Sequence, residues 1–331
     1  MKTNKEKIEA LDFALDTRLS PEVKALLTGV NALGIRIETM SGQDARNVFA
    51  TVQASVNVDL SGIEESEKTI LIDGFTIKLN IVRPSGIKGK LPAFIFINGG
   101  GWIFGDYDTH KRLVRDLSVL SGCAAIFVNY TRSPEAPYPQ AVHEVYAVTR
   151  WVAEHGEEIN IDGKNIAIVG NSAGGNMSTV TTLLAKENNG PEIKLQVLMC
   201  PVVDTDFETG SYQQFGEQRF LTTSMMKWVF DIYAPDPNQR KDIHVSPLRA
   251  TVEQLSGLPP ALIITAENDV LRDEAEAYGR KLAEAGVAVT CIRYNGTIHD
   301  FGCLNALAET SQTKSSLIQV AAELKKYLHC D

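Results

Sequence analysis

The sequence predicts an α/β domain whose central sheet is mostly parallel and covered by helices on both faces. Apolar runs rich in Val and Ile alternate with helical patterns from about residue 70 to 294. Most of these runs are continuously apolar, which is typical of parallel strands buried on both faces. The spacing between runs leaves room for the helical crossovers that parallel strands require.

Eight strands are predicted in chain order. The first two, 70–72 and 75–82, are separated only by Asp73 and Gly74, so they form an antiparallel pair. The other six are predicted at 91–97, 124–129, 166–169, 195–199, 260–265 and 287–294, with helices at 109–120 and 140–155 among their connections.

Two segments lie outside this alternation. Residues from about 5 to 57 are predicted to be helical, with Ser20 capping one helix and Ser41 preceding another. Residues 201–247 are crowded with aromatic side chains, and a helix is expected to begin at 222–224. These side chains either pack on the sheet as an ordinary amphipathic helix or shape a pocket. Both interpretations stay open.

The pentapeptide Gly170-Asn171-Ser172-Ala173-Gly174 is the most informative motif. It lies between the predicted strand 166–169 and a helical pattern at 179–187. A sharp strand-to-helix turn crowds its neighbours, and the glycines relieve that crowding. The turn lifts the serine hydroxyl above the sheet edge and points a helix N-terminus at any negative charge there. This context predicts that Ser172 is a nucleophile.

A run of three glycines, Asn98-Gly99-Gly100-Gly101-Trp102, follows the predicted strand 91–97. Without Cβ atoms in the way, its backbone N–H groups can point into a site. A phosphate-binding loop is the alternative, but the glycine spacings of the two common phosphate motifs are not matched here. We therefore favour donors for the oxyanion of a tetrahedral intermediate.

A serine nucleophile needs a base and a group that orients it. Asp269 follows the predicted strand 260–265, and His299 follows the last strand, beyond an Asn295-Gly296 pair that indicates a turn. Ser172, Asp269 and His299 therefore follow one of the known chain orders of a catalytic triad.

Two further acids, Asp273 and Glu274, compete with Asp269 for the orienting role. Both lie farther from the strand end. They are expected to begin the next helix, where acidic side chains interact favourably with the helix dipole. Asp269 is therefore the predicted member of the triad.

These motifs together resemble the hormone-sensitive-lipase group of α/β-hydrolases, also called bacterial type IV esterases. The family's His-Gly-Gly-Gly corresponds to 98–101, with Asn98 replacing His. Its Gly-Asp-Ser-Ala-Gly-Gly corresponds to 170–175, with Asn171 replacing Asp. Its Asp-Pro-Leu-x-Asp-Glu, its His-x-Phe and an altered Tyr-Arg-Leu-Ala-Pro-Glu correspond to 269–274, 299–301 and 130–135.

The resemblance implies a single α/β-hydrolase domain over 1–331, with a helical cap built from about 1–57 and 201–247. It implies ester hydrolysis by the predicted triad, with the backbone N–H groups of Gly100, Gly101 and Ala173 as oxyanion donors. The aromatic cap favours short acyl chains over long lipids. Acyl transfer or deacetylation of a metabolite would use the same site. A non-catalytic binding protein is disfavoured because all three triad residues are present.

The two departures from the family pattern are expected to leave activity intact. Asn98 carries both a donor and an acceptor, so it can hold the glycine loop as the family's histidine does. Asn171 is expected at a free position of the turn, away from the chemistry. The predicted pocket residues are the aromatic side chains after the glycines and in the second cap segment: Trp102, Phe104, Tyr107, Phe215, Phe220 and Trp228.

The whole chain of 331 residues limits its partners. Its formal net charge of −9 disfavours nucleic acid and anionic membranes. No signal peptide or membrane-length apolar run is recognised, so a cytoplasmic location is expected. No metal or other cofactor is expected. The oligomeric state stays open: the resemblance implies that relatives are often dimers, and the strand ending at Tyr294 is a pairable edge. Cys123, Cys200 and Cys291 lie in or beside apolar runs, which predicts buried free thiols.

Overall fold

A computed structural model describes residues 12–329. Eight strands form one sheet in the order β1-β2-β4-β3-β5-β6-β7-β8. β1 and β2 pair antiparallel with each other, β2 pairs antiparallel with β4, and the remaining pairs are parallel. The strands are β1 Ile63–Ile72, β2 Phe75–Pro84, β3 Leu91–Ile97, β4 Ala124–Asn129, β5 Ile161–Asn171, β6 Gln196–Met199, β7 Ala261–Asn268 and β8 Val289–Ile298. The predicted fold class is confirmed.

Ten α-helices accompany the sheet in the described part of the chain. They are α1 Pro21–Ala32, α2 Gly42–Ala54, α3 Tyr107–Ser121, α4 Gln140–His155, α5 Ala173–Glu187, α6 Gly210–Phe215, α7 Thr223–Tyr233, α8 Val252–Leu255, α9 Arg272–Glu284 and α10 Ser311–Leu328. None of the helices within residues 12–329 combines the length and apolar character needed to cross a membrane.

Successive residues of β3 enter separate cores on the two faces of the sheet. Ile95 belongs to the cluster that includes Met177 of α5, whereas Phe96 belongs to the cluster that includes Leu113 of α3 and Leu317 of α10. Alternation of side chains across a strand explains this division. It also explains the continuous apolar run, because both faces of the strand are buried.

The first two strands form a longer hairpin than the sequence predicts. Asp73 and Gly74 both have positive φ, as a two-residue hairpin turn requires. β1 begins at Ile63, seven residues before the predicted start. Its first half is polar and largely exposed. An edge strand that buries little surface lacks the apolar pattern by which buried strands are recognised.

The predicted helix starts in both flanking segments are confirmed. The side chains of Ser20, Ser41 and Thr222 each accept a backbone hydrogen bond at the N-terminus of α1, α2 and α7, respectively. The expected helical residues 5–11 lie outside the described residues.

Side-chain contacts join the two flanking segments to each other and to the body. A buried ion pair at 3.0 Å connects Asp16 with Arg219. Ser224 Oγ donates to Glu38 at 2.8 Å. From α2, the guanidinium of Arg46 donates to the carbonyl oxygens of Ile103 and Ser133 at 2.7 and 2.9 Å. These contacts tie α2 to the loops that follow β3 and β4, and they tie the two flanking segments to each other.

Three local predictions are wrong. Asn295-Gly296 is not a turn, because β8 continues through it to Ile298 with an irregular register opposite β7. α5 begins at Ala173 rather than near Thr179, since its first turn carries two glycines that hide the helical pattern. The cysteine prediction holds only for the buried free thiol of Cys200. Cys291 is exposed, and Cys123 is disulfide-bonded.

Candidate active site

Ser172 occupies a strained turn between β5 and α5. Its backbone has φ 53° and ψ −120°, a conformation that residues with a Cβ rarely adopt. The tight turn brings Gly174 so close to β3 that a Cβ there would lie 2.0 Å from the carbonyl oxygen of Ile97. Only glycine fits this approach, and the serine is presented where β3 ends.

Ser172, His299 and Asp269 form one hydrogen-bonded chain. The Oγ of Ser172 lies 2.9 Å from Nε2 of His299, and Nδ1 of His299 lies 2.7 Å from Oδ2 of Asp269. The three residues are 4%, 3% and 2% exposed. The backbone N–H of Leu271 donates to the other carboxylate oxygen of Asp269 at 3.0 Å. A proton on Nδ1 leaves Nε2 free to accept the serine proton.

The charges around His299 favour its protonated form. Burial lowers the pKa of His299, but the carboxylates of Asp269 and Asp300 outweigh this effect and raise the pKa to about 9. Oδ2 of Asp300 lies 3.7 Å from Nε2 of His299. The site can therefore stabilise an imidazolium formed during proton transfer.

The two rival acids make other contacts. Asp273 accepts a hydrogen bond from the backbone N–H of Ser211. Glu274 is fully buried and accepts from the backbone N–H of Val203, and burial raises the pKa of its carboxyl group. The structure thus brings Asp269, and neither rival, to the imidazole.

A thiol also lies beside the triad. The potential ligand atoms of Cys200, Asp269 and His299 are within 4.8 Å of one another. Burial raises the pKa of the Cys200 thiol, so it is protonated and neutral at ordinary pH. Because Asp269 and His299 are already hydrogen-bonded to each other, the arrangement is that of a triad with a neighbouring thiol.

The glycine loop lies at the same cavity as Ser172. Gly100 and Gly101 have φ values of 102° and 58° and line the same cavity as Ser172. Across residues 12–329, neither N–H group donates a hydrogen bond to the protein. Ala173 is the first residue of α5, where N–H groups lack a partner within the helix. Gly100 and Gly101 thus share a cavity with Ser172, and Ala173 follows the serine directly; their role as oxyanion donors stays a prediction.

Asn98 and Asn171 hold the loop from two directions. Nδ2 of Asn98 donates to the carbonyl oxygen of Gly99 at 2.8 Å. The N–H of Gly99 donates to Oδ1 of Asn171 at 2.9 Å, and Nδ2 of Asn171 donates to Asp300 at 3.0 Å. The expectation that Asn171 lies at a free position is wrong. Its side chain is buried among the residues that surround the triad.

A cavity of about 540 Å³ opens at Ser172 and His299. Its walls are mostly apolar and come from α1, α2 and the residues between them, and from 217–229. Of the predicted pocket residues, Phe104 and Phe220 line it. No lining residue from the first flanking segment was predicted. Its apolar lining residues are Val30 of α1, Leu33, Ile35 and Ile37 between the two helices, and Ala45, Val48, Phe49 and Val52 of α2. The amphipathic spacing on α2 was the available signal.

The other four predicted pocket residues are not among those that line the cavity. Trp102 stacks against Tyr233 in the core, with ring centroids 3.9 Å apart. Trp228 stacks against Phe104 at 5.7 Å. Tyr107 donates to Glu65, and Phe215 lies between the guanidinium groups of Arg18 and Arg272. Apolar residue type alone could not distinguish core side chains from lining ones.

Comparisons with known proteins agree with this geometry. The family described as alpha/beta hydrolase fold matches residues 94–302. The ethyl acetate hydrolase of Pseudomonas putida is 32% identical over 259 residues, which is 77% of this chain and 80% of that protein. A thermostable esterase from Pseudomonas putida ECU1011 is 53% identical, with a TM-score of 0.94 over 95% of this chain and 98% of that one.

A fungal esterase from Rhizomucor miehei is also similar. It is 39% identical, with a TM-score of 0.89, and the match covers 94% of this chain and 97% of the fungal chain. Carboxylesterase NlhH of Mycobacterium tuberculosis is 32% identical over 269 residues, which is 80% of this chain and 82% of that protein.

The strained backbone of Ser172 leads to a stability prediction. Ser172→Gly and Ser172→Ala both remove the nucleophile, but only glycine relaxes at this φ and ψ. We expect the glycine variant to have the larger free energy of unfolding, by about 1 kcal/mol after its greater unfolded-state entropy is subtracted. Urea unfolding of both variants measures the difference.

An exposed serine of α10, Ser315, provides the control. There the backbone is helical, so Ser315→Gly should be less stable than Ser315→Ala. Equal stability of the two Ser172 variants would contradict the assignment of strain to this residue.

Proposed function

The chain belongs to the α/β-hydrolase family, in its hormone-sensitive-lipase group, and is a carboxylic ester hydrolase; we propose that it cleaves short-chain acyl esters with Ser172, His299 and Asp269. The hydrogen-bonded chain of these three side chains, opening directly on an apolar cavity, carries the proposal. Gly100 and Gly101 support it, because they line the same cavity as Ser172 and their N–H groups donate to no acceptor within residues 12–329.

In the first half of the reaction, Oγ of Ser172 bonds to the ester carbonyl carbon while Nε2 of His299 takes the Oγ proton. The carbonyl electron pair moves to oxygen, and the N–H groups of Gly100, Gly101 and Ala173 stabilise that oxyanion. Asp269 stabilises the imidazolium. When the C–O bond to the alcohol breaks, His299 gives its proton to the leaving oxygen. An acyl-serine remains.

In the second half, water replaces the alcohol. The water oxygen attacks the acyl carbon while His299 takes a proton from that water. A second oxyanion forms, and the same N–H groups stabilise it. Collapse breaks the bond to Oγ of Ser172, which recovers the proton from His299. The carboxylic acid leaves and the free enzyme is restored.

The two flanking segments, about 1–57 and 201–247, act as a cap on a single domain in this proposal. Val229 of α7 packs so closely on the glycine loop that a Cβ at Gly101 would lie 2.6 Å from its Cγ1. The cap therefore closes the cavity next to the reacting carbonyl. This tight contact favours small acyl groups there and supports short-chain specificity.

The ester preference is testable with p-nitrophenyl esters of increasing acyl length. We expect kcat/KM to be highest for short acyl groups, because α7 limits the space beside Gly101. Ser172→Ala should lose about 10⁴-fold or more of kcat. Equal turnover of long-chain esters would contradict short-chain specificity. Including an alcohol acceptor and measuring transesterification separates hydrolysis from acyl transfer.

A substitution of Val229 in α7 tests whether this helix limits the acyl length. Val229→Ala should extend the accepted acyl length, since it removes the side chain that packs on the glycine loop. Ile318→Ala, an exposed change on α10, is the control and should leave the profile unchanged. An unchanged profile in Val229→Ala would contradict the role of α7 in limiting the acyl group.

A pH prediction follows from the carboxylates around His299. The imidazole must be neutral to take the serine proton, and Asp269 and Asp300 raise the pKa of His299. The value of kcat/KM should therefore rise with pH, with a midpoint above 6.5, the usual value for imidazole. A stopped-flow or steady-state pH profile checks this. A midpoint at or below 6.5 would contradict it.

We also propose a homodimer that pairs through β8. This strand is at one end of the sheet, and its residues Thr290, Cys291 and Arg293 are exposed. An exposed edge strand offers unpaired backbone groups to a second copy. Light scattering should give twice the mass of one chain, and a monomer at micromolar concentration would contradict this arrangement.

A further inference from the structure

A second carboxylate lies beside the catalytic base and is connected to the oxyanion loop. Asp300 follows His299 directly and lines the cavity. One of its oxygens accepts from Nδ2 of Asn171 at 3.0 Å, and the other lies 3.7 Å from Nε2 of His299. Oδ1 of Asn171 accepts the N–H of Gly99 at 2.9 Å. One amide therefore bridges the glycine loop and the residue after the base.

The bridge requires a neutral amide at position 171. Asn171 uses its acceptor for Gly99 and its donor for Asp300, so both partners are satisfied. An aspartate could still accept from Gly99. Its second oxygen would then face the carboxylate of Asp300 at hydrogen-bond distance, and two like charges in a buried site repel strongly. Aspartate at 300 and asparagine at 171 are therefore complementary.

We propose that Asn171 and Asp300 form a coupled positioning pair. The pair fixes the position of the oxyanion loop relative to His299 and keeps the Asp300 carboxylate close to the His299 imidazole. The inference rests on the proposed ester hydrolysis. The imidazolium that forms in each transition state is then stabilised by Asp269 through Nδ1 and by Asp300 near Nε2. Neither Asn171 nor Asp300 exchanges a proton with substrate in this proposal.

The other groups around the pair do not supply a competing charge. Cys200, at the end of β6, is a neutral thiol beside His299, and burial likewise raises the pKa of the Cys303 thiol. His110 of α3 is near enough for the Asp300 charge to act on its pKa. Burial outweighs that charge and lowers the pKa of His110 to about 4, so the imidazole is neutral. Arg112 donates to the carbonyl oxygens of Gly302 and Cys303 and pairs with Asp116.

The test is a charge exchange between the two positions. Asn171→Asp should reduce kcat by about 10-fold or more, because the two carboxylates repel and Gly99 shifts. Asn171→Asp/Asp300→Asn restores one donor facing one carboxylate. We expect it to recover most of the lost kcat, so the two substitutions are strongly non-additive. Additive losses would overturn the pairing.

The pH profile separates positioning from a merely structural role. Asp300→Asn keeps an acceptor for Asn171 but removes the charge near Nε2. The midpoint of the kcat/KM profile should move to lower pH by about half a unit or more. Asp73→Asn, an exposed change in the β1–β2 turn, is the control and should not shift it. An unchanged midpoint in Asp300→Asn would overturn the electrostatic part of the proposal.

Two measurements keep the inference independent of the proposed activity. NMR titration of the His299 imidazole in wild type and Asp300→Asn reports the same charge effect without turnover. Urea unfolding of the four variants reports coupling between positions 171 and 300. If the wild-type protein hydrolyses no ester but shows both the charge effect on His299 and the coupling between positions 171 and 300, the proposed ester hydrolysis is contradicted and the positioning pair is not. If Asn171→Asp does not fold but the double variant does, the pairing is supported; if neither folds, it is overturned.

Discussion

The site depends on the close approach of the turn after β5 to the end of β3. Gly174 lies against the carbonyl oxygen of Ile97 at a distance that no Cβ permits. Ser172 has its strained conformation in this same turn, which lies beside the loop that leaves β3. Ser172 and the glycine loop are therefore brought together by one backbone contact, before any other side chain of the site is considered.

The sheet order brings the remaining groups to the same place. β5 pairs with β3 on one side and β6 on the other, and the backbone N–H of Ser172 donates to Met199 at the end of β6. β7 and β8 follow in order. Because the carboxyl ends of parallel strands meet at one edge, Asp269 and His299 reach the serine from consecutive strands. The ends of β3, β5, β7 and β8 thus supply the glycine loop, Ser172, Asp269 and His299, and residues of both flanking segments line the cavity beside them.

The sequence predicted the parts of this arrangement that depend on local patterns. β3, β4 and α4 have the predicted bounds because their residues are buried and strongly patterned. The polar edge strand β1 and the irregular Asn295-Gly296 segment of β8 were misread, since their structure is decided by neighbouring strands. The cavity residues of α1 and α2 and the bridge from Asn171 to Asp300 depend on residues far apart in sequence. The amphipathic spacing of α2 marks its apolar face but not the cavity that this face lines, and no local pattern identifies the bridge.

Both departures from the family motifs converge on Gly99. Asn98 holds its carbonyl oxygen, and Asn171 holds its N–H group. Both polar groups of Gly99 are thus engaged by side chains, whereas the N–H groups of Gly100 and Gly101 have no acceptor within residues 12–329, and both residues line the cavity. In the proposed reaction, donors that are fixed in advance cost no reorganisation when the oxyanion forms. Asn98 and Asn171 are the two side chains that fix Gly99 in the loop. They do so without a charge at position 171, which the neighbouring Asp300 would oppose.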